Sequence, residues 1–415
     1  MKLKDLAAEA AGYLSEVQSV RRDIHRQPEL GLHTPKTLDR VLASISGLPI
    51  EVIRPESDRV DPGNGLPMTS AIVRITGGMP GPTVILRADL DALSLHEDTG
   101  ESFASEIPGL MHACGHDLHA AIAVGAIHLL ATHRDELAGE VLFLLQPGEE
   151  GYRGANAMLE DGALGFATGS IVGAYALHVT TSAPLGHFFT RAGTLMAAAA
   201  TLDVTVNGSG GHGSAPHLAR DPNQALAEIV SGLQTMVTRR FSAFDPVIIT
   251  VGWLAGGERG TSNVIPSTAS FGATVRTFSD QNLVAVEAHS RELVSGIASA
   301  FGLAADVDFA IVTEPLVNAP EHVDVAERVA VEMFGRERFT LAETPIGGAE
   351  DFASVLREVP GAFVFVGACR PELNPATAPY NHSNLARFDD SVLPDAAAYL
   401  AALAFARLDG ASASG

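Results

Sequence analysis

Val141-Leu-Phe-Leu-Leu145, running through Gln146-Pro-Gly into Glu149-Glu150, sets the reading of this chain. Five apolar residues without polar alternation mark a strand buried on both faces, the pattern of a parallel sheet covered on each side. Two carboxylates follow directly after the strand. In open parallel sheets, binding sites gather at the carboxyl ends of strands, so this stretch indicates both a fold class and the edge where chemistry belongs.

Working outward, Ser70-Ala-Ile-Val-Arg74, Pro82-Thr-Val-Ile-Leu86 and Gly361-Ala-Phe-Val-Phe-Val366 read as further strands, bounded by Gly and Pro. Residues 118–133 carry a helical pattern between two of them. Residues 6–26 are apolar at helical spacing, with a basic last turn before Pro28, and predict an opening amphipathic helix. This alternation predicts an α/β domain with a mostly parallel central sheet and helices on both faces. From about residue 197 the texture changes. The order becomes strand (202–206), glycine-rich turn (208–213), helix (224–240), strands (247–254 and 267–277), helix (281–300) and strand (305–312). That is the split βαβ pattern of a small α+β domain. The expected division is 1–191 with 315–415 for the main domain and 192–314 for the insert.

Hydrophobic residues at 46% and charged residues at 18% fit a folded globular chain rather than a disordered one. A net charge of −22, with no basic stripe, argues against nucleic acid and anionic membrane as partners. Cys114 and Cys369 are the only cysteines, too few for a disulfide framework. Residues 1–17 lack the apolar core of a secretion signal, and no run of ~18 apolar residues follows, so a cytoplasmic protein is expected.

His112-Ala-Cys-Gly-His-Asp117 places a cysteine and two histidines within five residues, a composition that suits a metal better than a core. Cys114 and His116 fall at the start of the predicted helix, where the helix dipole and a cation both favour a thiolate. A soft and a borderline ligand together suit Zn, Co, Ni or Mn. Three other strand ends lead to groups able to ligate or tune an ion: Asp89 after Leu86, Glu149-Glu150 after Leu145, and His178 after Leu177; the loop after Val366 reaches His382. Neighbouring carboxylates on a turn diverge, so one of the glutamates ligates while the other serves as general base. Cys369 reads as a small hydrophobe. His128 and His133 read as surface residues, and His112 and His119 as hydrogen-bonding support behind the ligands.

In order along the chain, Arg22-Asp-Ile-His-Arg-Gln-Pro-Glu-Leu-Gly31, Leu86-Arg-Ala-Asp-Leu-Asp-Ala-Leu93, Met111-His-Ala-Cys-Gly-His-Asp117, Gln146-Pro-Gly-Glu-Glu-Gly151, Gly211-His-Gly-Ser-Ala-Pro-His217, Asn263-Val-Ile-Pro266 and Glu350-Asp-Phe352 resemble the di-metal aminoacylase and carboxypeptidase superfamily. The resemblance is to its amidohydrolase branch, which contains hippurate hydrolases and auxin-conjugate hydrolases. It implies a di-zinc exopeptidase-like main domain and a ferredoxin-like insert that serves as lid and dimerisation module. It also implies two divalent ions per subunit (Zn, Mn, Co or Ni) ligated by Cys114, His116, Glu150, His178 and His382, with Glu149 as the base. Asp89 would orient a ligand or the base, His212 would stabilise the oxyanion, and Asn263 and Arg276 would hold substrate. The implied reaction is hydrolysis of N-acyl amino acids by a homodimeric metallopeptidase-like amidohydrolase.

The residues agree at one further point. In Ser270-Phe-Gly-Ala-Thr-Val-Arg276, strand alternation puts Arg276 on the face opposite Phe271, Ala273 and Val275, where a guanidinium is open to a carboxylate. A dipeptidase or carboxypeptidase would use the same site with a different acyl pocket. A catalytically silent relative would show loss of a ligand or base, and a structural zinc site would use four Cys or His ligands without paired glutamates. The chain departs from its relatives at His33-Thr-Pro-Lys-Thr37, where they carry a glutamate, and at Gly148, where they carry alanine. A longer loop at 58–70 and unusual wording at 374–383 fall outside the shared motifs.

Overall fold

The computed structural model describes residues 3–412. The chain divides into two compact units, one of Met1–Leu195, Val317–Thr344 and Ser354–Gly415, the other of Met196–Leu316 and Pro345–Ala353. The second segment of the smaller unit lies within residues that the sequence assigns to the main domain. The backbone accounts for the difference: the Ala197 amide donates to the carbonyls of Ile346 (3.1 Å) and Gly348 (2.9 Å), and Met196 bridges Ile346 in parallel register.

The larger unit is organised by four strands: β1 (Met79–Asp89), β2 (Ala138–Gln146), β3 (Ile171–Thr180) and β4 (Gly361–Gly367). The β2–β1, β1–β3 and β3–β4 pairs are all parallel, with Leu86 opposite Phe143 and Tyr175, and Phe365 opposite His178. Glu51–Ile53 and Ala71–Thr76 extend the sheet antiparallel beyond β2, and Phe188–Thr190 and Phe339–Leu341 complete the eight strands beyond β4. The sheet is thus mostly parallel.

Strand alternation sorts the side chains of this sheet. Val84, Leu86, Val141, Phe143, Leu145, Tyr175, Leu177, Val364 and Val366 share one apolar cluster with the helices Leu14–Arg26, His116–Thr132, Pro320–Phe334 and Leu393–Ser412. Ile85, Leu142, Leu144, Phe363 and Phe365 are buried on the opposite face. Burial on both sides explains why these strands read as unbroken apolar runs. Arg87, Asp89, Gln146 and His178 share the parity of that second face, so the polar groups of β1, β2 and β3 emerge together near the carboxyl ends.

Two elements differ in detail from the sequence reading. The opening helix is broken into Leu3–Ala10 and Leu14–Arg26 by a 3₁₀ turn at Ala11–Tyr13, which contains Gly12. Glycine favours such a break because its backbone loses the most entropy in a helix. Asp390–Gly410, with a mean hydropathy of 1.3, is long and apolar enough by composition to cross a membrane. Its Leu393, Leu400, Leu403 and Leu408 are buried in the core cluster, and the Tyr399 hydroxyl donates to the Ala326 carbonyl (2.9 Å). Packing within the unit therefore accounts for its apolar character.

The smaller unit carries a four-stranded antiparallel sheet in the order Val247–Ala255, Thr268–Thr277, Ala198–Asn207, Ala304–Thr313. In chain order this is 2-3-1-4 with a helix after the first and third strands, a ferredoxin-like arrangement. Helices Pro222–Arg240 and Asp280–Ala300 place Leu226, Ile229, Leu233, Val286 and Val294 in one cluster with Leu202, Val204, Phe271 and Val275 of the sheet. Both helices start on a side-chain cap, Asp221 accepting from the Asn223 amide and Ser279 from the Asn282 amide.

Candidate metal centre

The Cys114–His116 turn can exist only because residue 115 lacks a side chain. Gly115 has φ 95°, and a Cβ there would meet Val179 Cγ2 at 2.4 Å. The turn opens helix His116–Thr132 and directs both side chains toward the end of β3. Cys114 Sγ stands 3.3 Å from His178 Nε2 and 3.2 Å from His382 Nε2, while His382 Nε2 is 3.2 Å from Glu150 Oε1. His116 Nε2 lies 3.9 Å from both Glu149 Oε2 and Glu150 Oε1. The donor atoms of Cys114, His116 and His178, of Cys114, Glu150 and His382, and of His116, Glu149 and Glu150 each fall within 4.8 Å of one another. The five expected ligands and the expected base therefore form one cluster.

Hydrogen bonds fix which nitrogen each ring presents. His116 Nδ1–H donates to the Asp91 carbonyl (2.8 Å) and His178 Nδ1–H to the Val179 carbonyl (2.7 Å), which turns Nε2 of each ring inward. His119 differs. Its Nδ1–H donates to Asp89 Oδ1 (2.6 Å) and its Nε2 accepts from the Val179 amide (2.9 Å), so both nitrogens are committed and His119 supports rather than ligates. His116 Nε2 is fully buried and has no hydrogen-bond partner among the described residues. An orphaned buried nitrogen facing carboxylates, beside a thiol and other imidazoles, fits a divalent cation and fits little else.

Electrostatics point the same way. Burial opposes protonation of His116, yet Asp89, Asp91 and Glu150 outweigh it and push the imidazole up to about 10, so a proton takes the charge that a metal would supply. Burial also disfavours ionised Asp89, but Arg87, His116 and His119 hold its carboxyl well below the usual range. Burial, reinforced by Glu150, Glu149 and Asp89, pushes the Cys114 thiol well above its ordinary value. The expected thiolate joined a cation to the helix terminus, and without the cation, burial and the carboxylates hold the thiol up. The carboxylates prevail, and only a cation reverses their effect.

Asp91, which the sequence reading passed over, builds the Glu149-Glu150 turn. Its buried carboxylate accepts from the amides of Glu149 (3.0 Å) and Glu150 (3.0 Å). The signal available was its position two residues after Asp89, in the same strand-end motif. Gly148 has a structural reason as well. It adopts φ 71°, and a Cβ would meet Leu32 Cδ2 at 2.5 Å. Arg87 Nε donates to Gln146 Oε1 (2.9 Å) and its guanidinium also pairs with Asp89, tying the ends of β1 and β2 together. Behind the cluster, Asp117 accepts from Arg21 Nε (2.7 Å) and pairs with His25 Nδ1 (2.7 Å). His112 is buried, and neither ring nitrogen has a hydrogen-bond partner among the described residues, so it makes none of the supporting bonds expected of it there. His128 is largely buried, bonding the Ser44 carbonyl (3.0 Å), rather than lying free at the surface.

The remaining expected residues lie in the smaller unit. His212 is exposed on the short strand Gly211–His212, opposite Val264, and the Asn263 carbonyl accepts from the Gly213 amide (2.7 Å). His212 Nδ1 accepts from the Ser214 amide (3.1 Å), which places the ring proton on Nε2 as an exposed donor. Arg276 lies opposite the buried Phe271, Ala273 and Val275 and donates to Thr274 Oγ1 (2.6 Å).

Comparison with known proteins now adds identity. Residues 85–406 match the model of peptidase family M20/M25/M40. The chain belongs to this family. It is 34% identical over 396 residues to thermostable carboxypeptidase 1 of Saccharolobus solfataricus, covering 94% of each chain. It is 32% identical to N-acetylcysteine deacetylase of Bacillus subtilis, covering 93% of this chain and 95% of that one. To IAA-amino acid hydrolase ILR1-like 4 of Arabidopsis thaliana it is 32% identical, covering 93% and 84%. Among solved structures, a dinuclear metal-binding peptidase of the M20 family from Bacillus subtilis superimposes with a TM-score of 0.78 at 29% identity, covering 96% of this chain and 99% of that one. The protein is a metal-dependent hydrolase of the M20 type, and the resemblance drawn from its motifs stands.

Proposed function

We propose that this M20 hydrolase cleaves the amide of N-acyl amino acids, giving a carboxylic acid and a free amino acid. The observation that carries this reading is the cluster of Cys114, His116, Glu150, His178 and His382 around the orphaned His116 nitrogen, with Glu149 alongside. These five residues would hold two divalent ions. Bound there, they would supply Lewis-acid polarisation of the scissile carbonyl and would lower the pKa of water toward neutrality. Zn, Mn, Co and Ni all suit the mixed donor set.

Glu149 removes the proton of the attacking water and returns it to the leaving nitrogen. Asp91 holds the Glu149 backbone in place for this task, and Asp89 acts through His119 and Arg87 rather than on substrate. We assign oxyanion stabilisation to the Nε2–H of His212, and capture of the substrate carboxylate to Arg276 with Asn263. The exposed Nε2–H of His212 and the half-buried guanidinium of Arg276, bonded only to its strand neighbours among the described residues, support this assignment. The two lone thiols agree with a cytoplasmic location.

Homodimerisation through the smaller unit has support from its sheet edges. Val247–Ala255 is an edge strand without a charged residue, and Ile248, Trp253 and Leu254 are exposed on it. The opposite edge, Ala304–Thr313, carries Asp306 and Asp308, which blunt pairing. An unguarded apolar edge suits a second copy of the chain.

Release of free amino acid from N-acetyl, N-benzoyl and longer N-acyl amino acids, alongside dipeptides, tests the reading with protein loaded separately with Mn, Co and Zn. Chelator-sensitive release from the acylated substrates is expected. Turnover confined to dipeptides would replace it with a dipeptidase or carboxypeptidase, the activity named for the Saccharolobus solfataricus relative.

A further inference from the structure

His382 reaches the cluster from an irregular segment rather than from a strand or helix, and it does so at φ 70°. A left-handed backbone costs a non-glycine residue roughly 1–2 kcal/mol and persists only where the surroundings fix it. The side chain is 54% exposed, so packing does not supply that constraint. The residue before it does. Asn381 Nδ2 donates to the Cys114 carbonyl (3.0 Å) and to the Val179 carbonyl (3.0 Å), and its Oδ1 accepts from the Thr181 amide (3.2 Å).

Both carbonyls bear on the metal cluster. The first carbonyl is that of Cys114 itself. The second, at Val179, also accepts from His178 Nδ1–H (2.7 Å) and so orients the His178 ring. Asn381 is joined directly to His382, whose own amide donates to the Ala113 carbonyl (2.9 Å). One carboxamide thus ties together the backbones that present three donor atoms. Asparagine suits the position because it offers two donors and an acceptor. Leucine offers neither, and aspartate would turn a carboxylate oxygen toward two carbonyls.

We propose that Asn381 is a positioning residue that assembles Cys114, His178 and His382 before a metal arrives, and so sets affinity for the ion on the Cys114–Glu150–His382 side. This rests on the two-metal reading above. The sequence motifs did not single it out, because Asn381 lies in the unusual 374–383 stretch.

The test uses full-length Asn381→Leu and the nearly isosteric Asn381→Asp, stripped with chelator and titrated with Zn²⁺ alone in competition with a chromogenic chelator. The wild type should take two equivalents. In both variants the equivalent on the Cys114–Glu150–His382 side should weaken about 10–100-fold, the size of loss typical when a group supporting a ligand is removed, and the other, which shares Cys114, should weaken less. A metal-free readout accompanies it: iodoacetamide modification of Cys114 in the stripped protein, followed by peptide mass with the buried Cys369 as internal reference. Modification should quicken several-fold once His382 no longer covers the sulfur. Wild-type affinity for both equivalents overturns the proposal, and a lowered apoprotein melting temperature with intact affinity reduces Asn381 to a structural role. If the wild type binds no metal, the two-metal reading fails instead, and the Cys114 modification rate alone then decides for or against Asn381. Should Asn381→Leu not fold, Asn381→Asp carries the same comparisons.

Discussion

In the larger unit the rings of His116 and His119 are held by a carbonyl, a carboxylate and a backbone amide distant in sequence, whereas in the smaller unit, among the described residues, His212 and Arg276 make side-chain hydrogen bonds only to residues one or two positions away. The first group is buried and its charges oppose one another at close range. The second is exposed to water or nearly so. In a low dielectric, unpaired polar groups are costly, so the buried cluster must be fixed in advance and can change little. His212 and Arg276, less buried, carry no such constraint. The buried groups are therefore held by partners brought from remote segments, and the two in the smaller unit by short-range bonds.

Four experiments probe this contrast. The largest effect is expected at the base: Glu149→Gln should lower kcat about 10²–10⁴-fold while metal content by atomic emission stays at the wild-type level. A near-normal rate would remove Glu149 from that role. Next, Arg276→Ala should raise KM for substrates with a free carboxylate about 10–100-fold with kcat retained, as expected for loss of one charged hydrogen bond. Steady-state kinetics showing the same KM for free and amidated substrates in the wild type would refute carboxylate capture.

A stability pair sharpens the comparison directly. His119→Ala strands the Val179 amide and one Asp89 oxygen, and should destabilise the apoprotein by about 1–3 kcal/mol in chemical denaturation. Exposed His212→Ala should change stability by less than ~0.5 kcal/mol. Equal losses would erase the distinction between the two regions.

The smallest effect concerns pH. His322 is buried against the Tyr175 hydroxyl (2.9 Å), and burial, followed by Arg407, pushes its imidazole down to about 4. The unfolded chain protonates this ring near 6.5, so its contribution is present above that pH and is lost as pH falls from about 6.5 toward 4. His322→Gln should reduce the stability difference between pH 7 and pH 5 by about 1–2 kcal/mol, measured on chelator-treated protein. An unchanged difference would show that His322 does not titrate with unfolding.

Much of the molecule was legible in the chain. Val141–Leu145 is apolar throughout because both faces of its strand are covered, and Phe271, Ala273 and Val275 alternate with Thr274 and Arg276 because one face of theirs is not. Cys114, His116 and the glutamate pair stood out by residue type and spacing. Asp91, Asn381 and the full commitment of His119 did not. Each acts on backbone groups or side chains from distant segments, and no local periodicity encodes such a partner. Asp91 is 58 residues from the amide of Glu149, and Asn381 is 267 from the carbonyl of Cys114.

Sequence alone determined the element order, the buried strands and the chemical kinds of donor available, since periodicity and residue type act locally. Tertiary structure decided which imidazole nitrogen faces inward, that burial and nearby carboxylates push the Cys114 thiol up, and which unit Pro345–Ala353 joins. Those outcomes depend on burial and on charges brought within a few ångströms from remote parts of the chain, and the fold alone sets these distances.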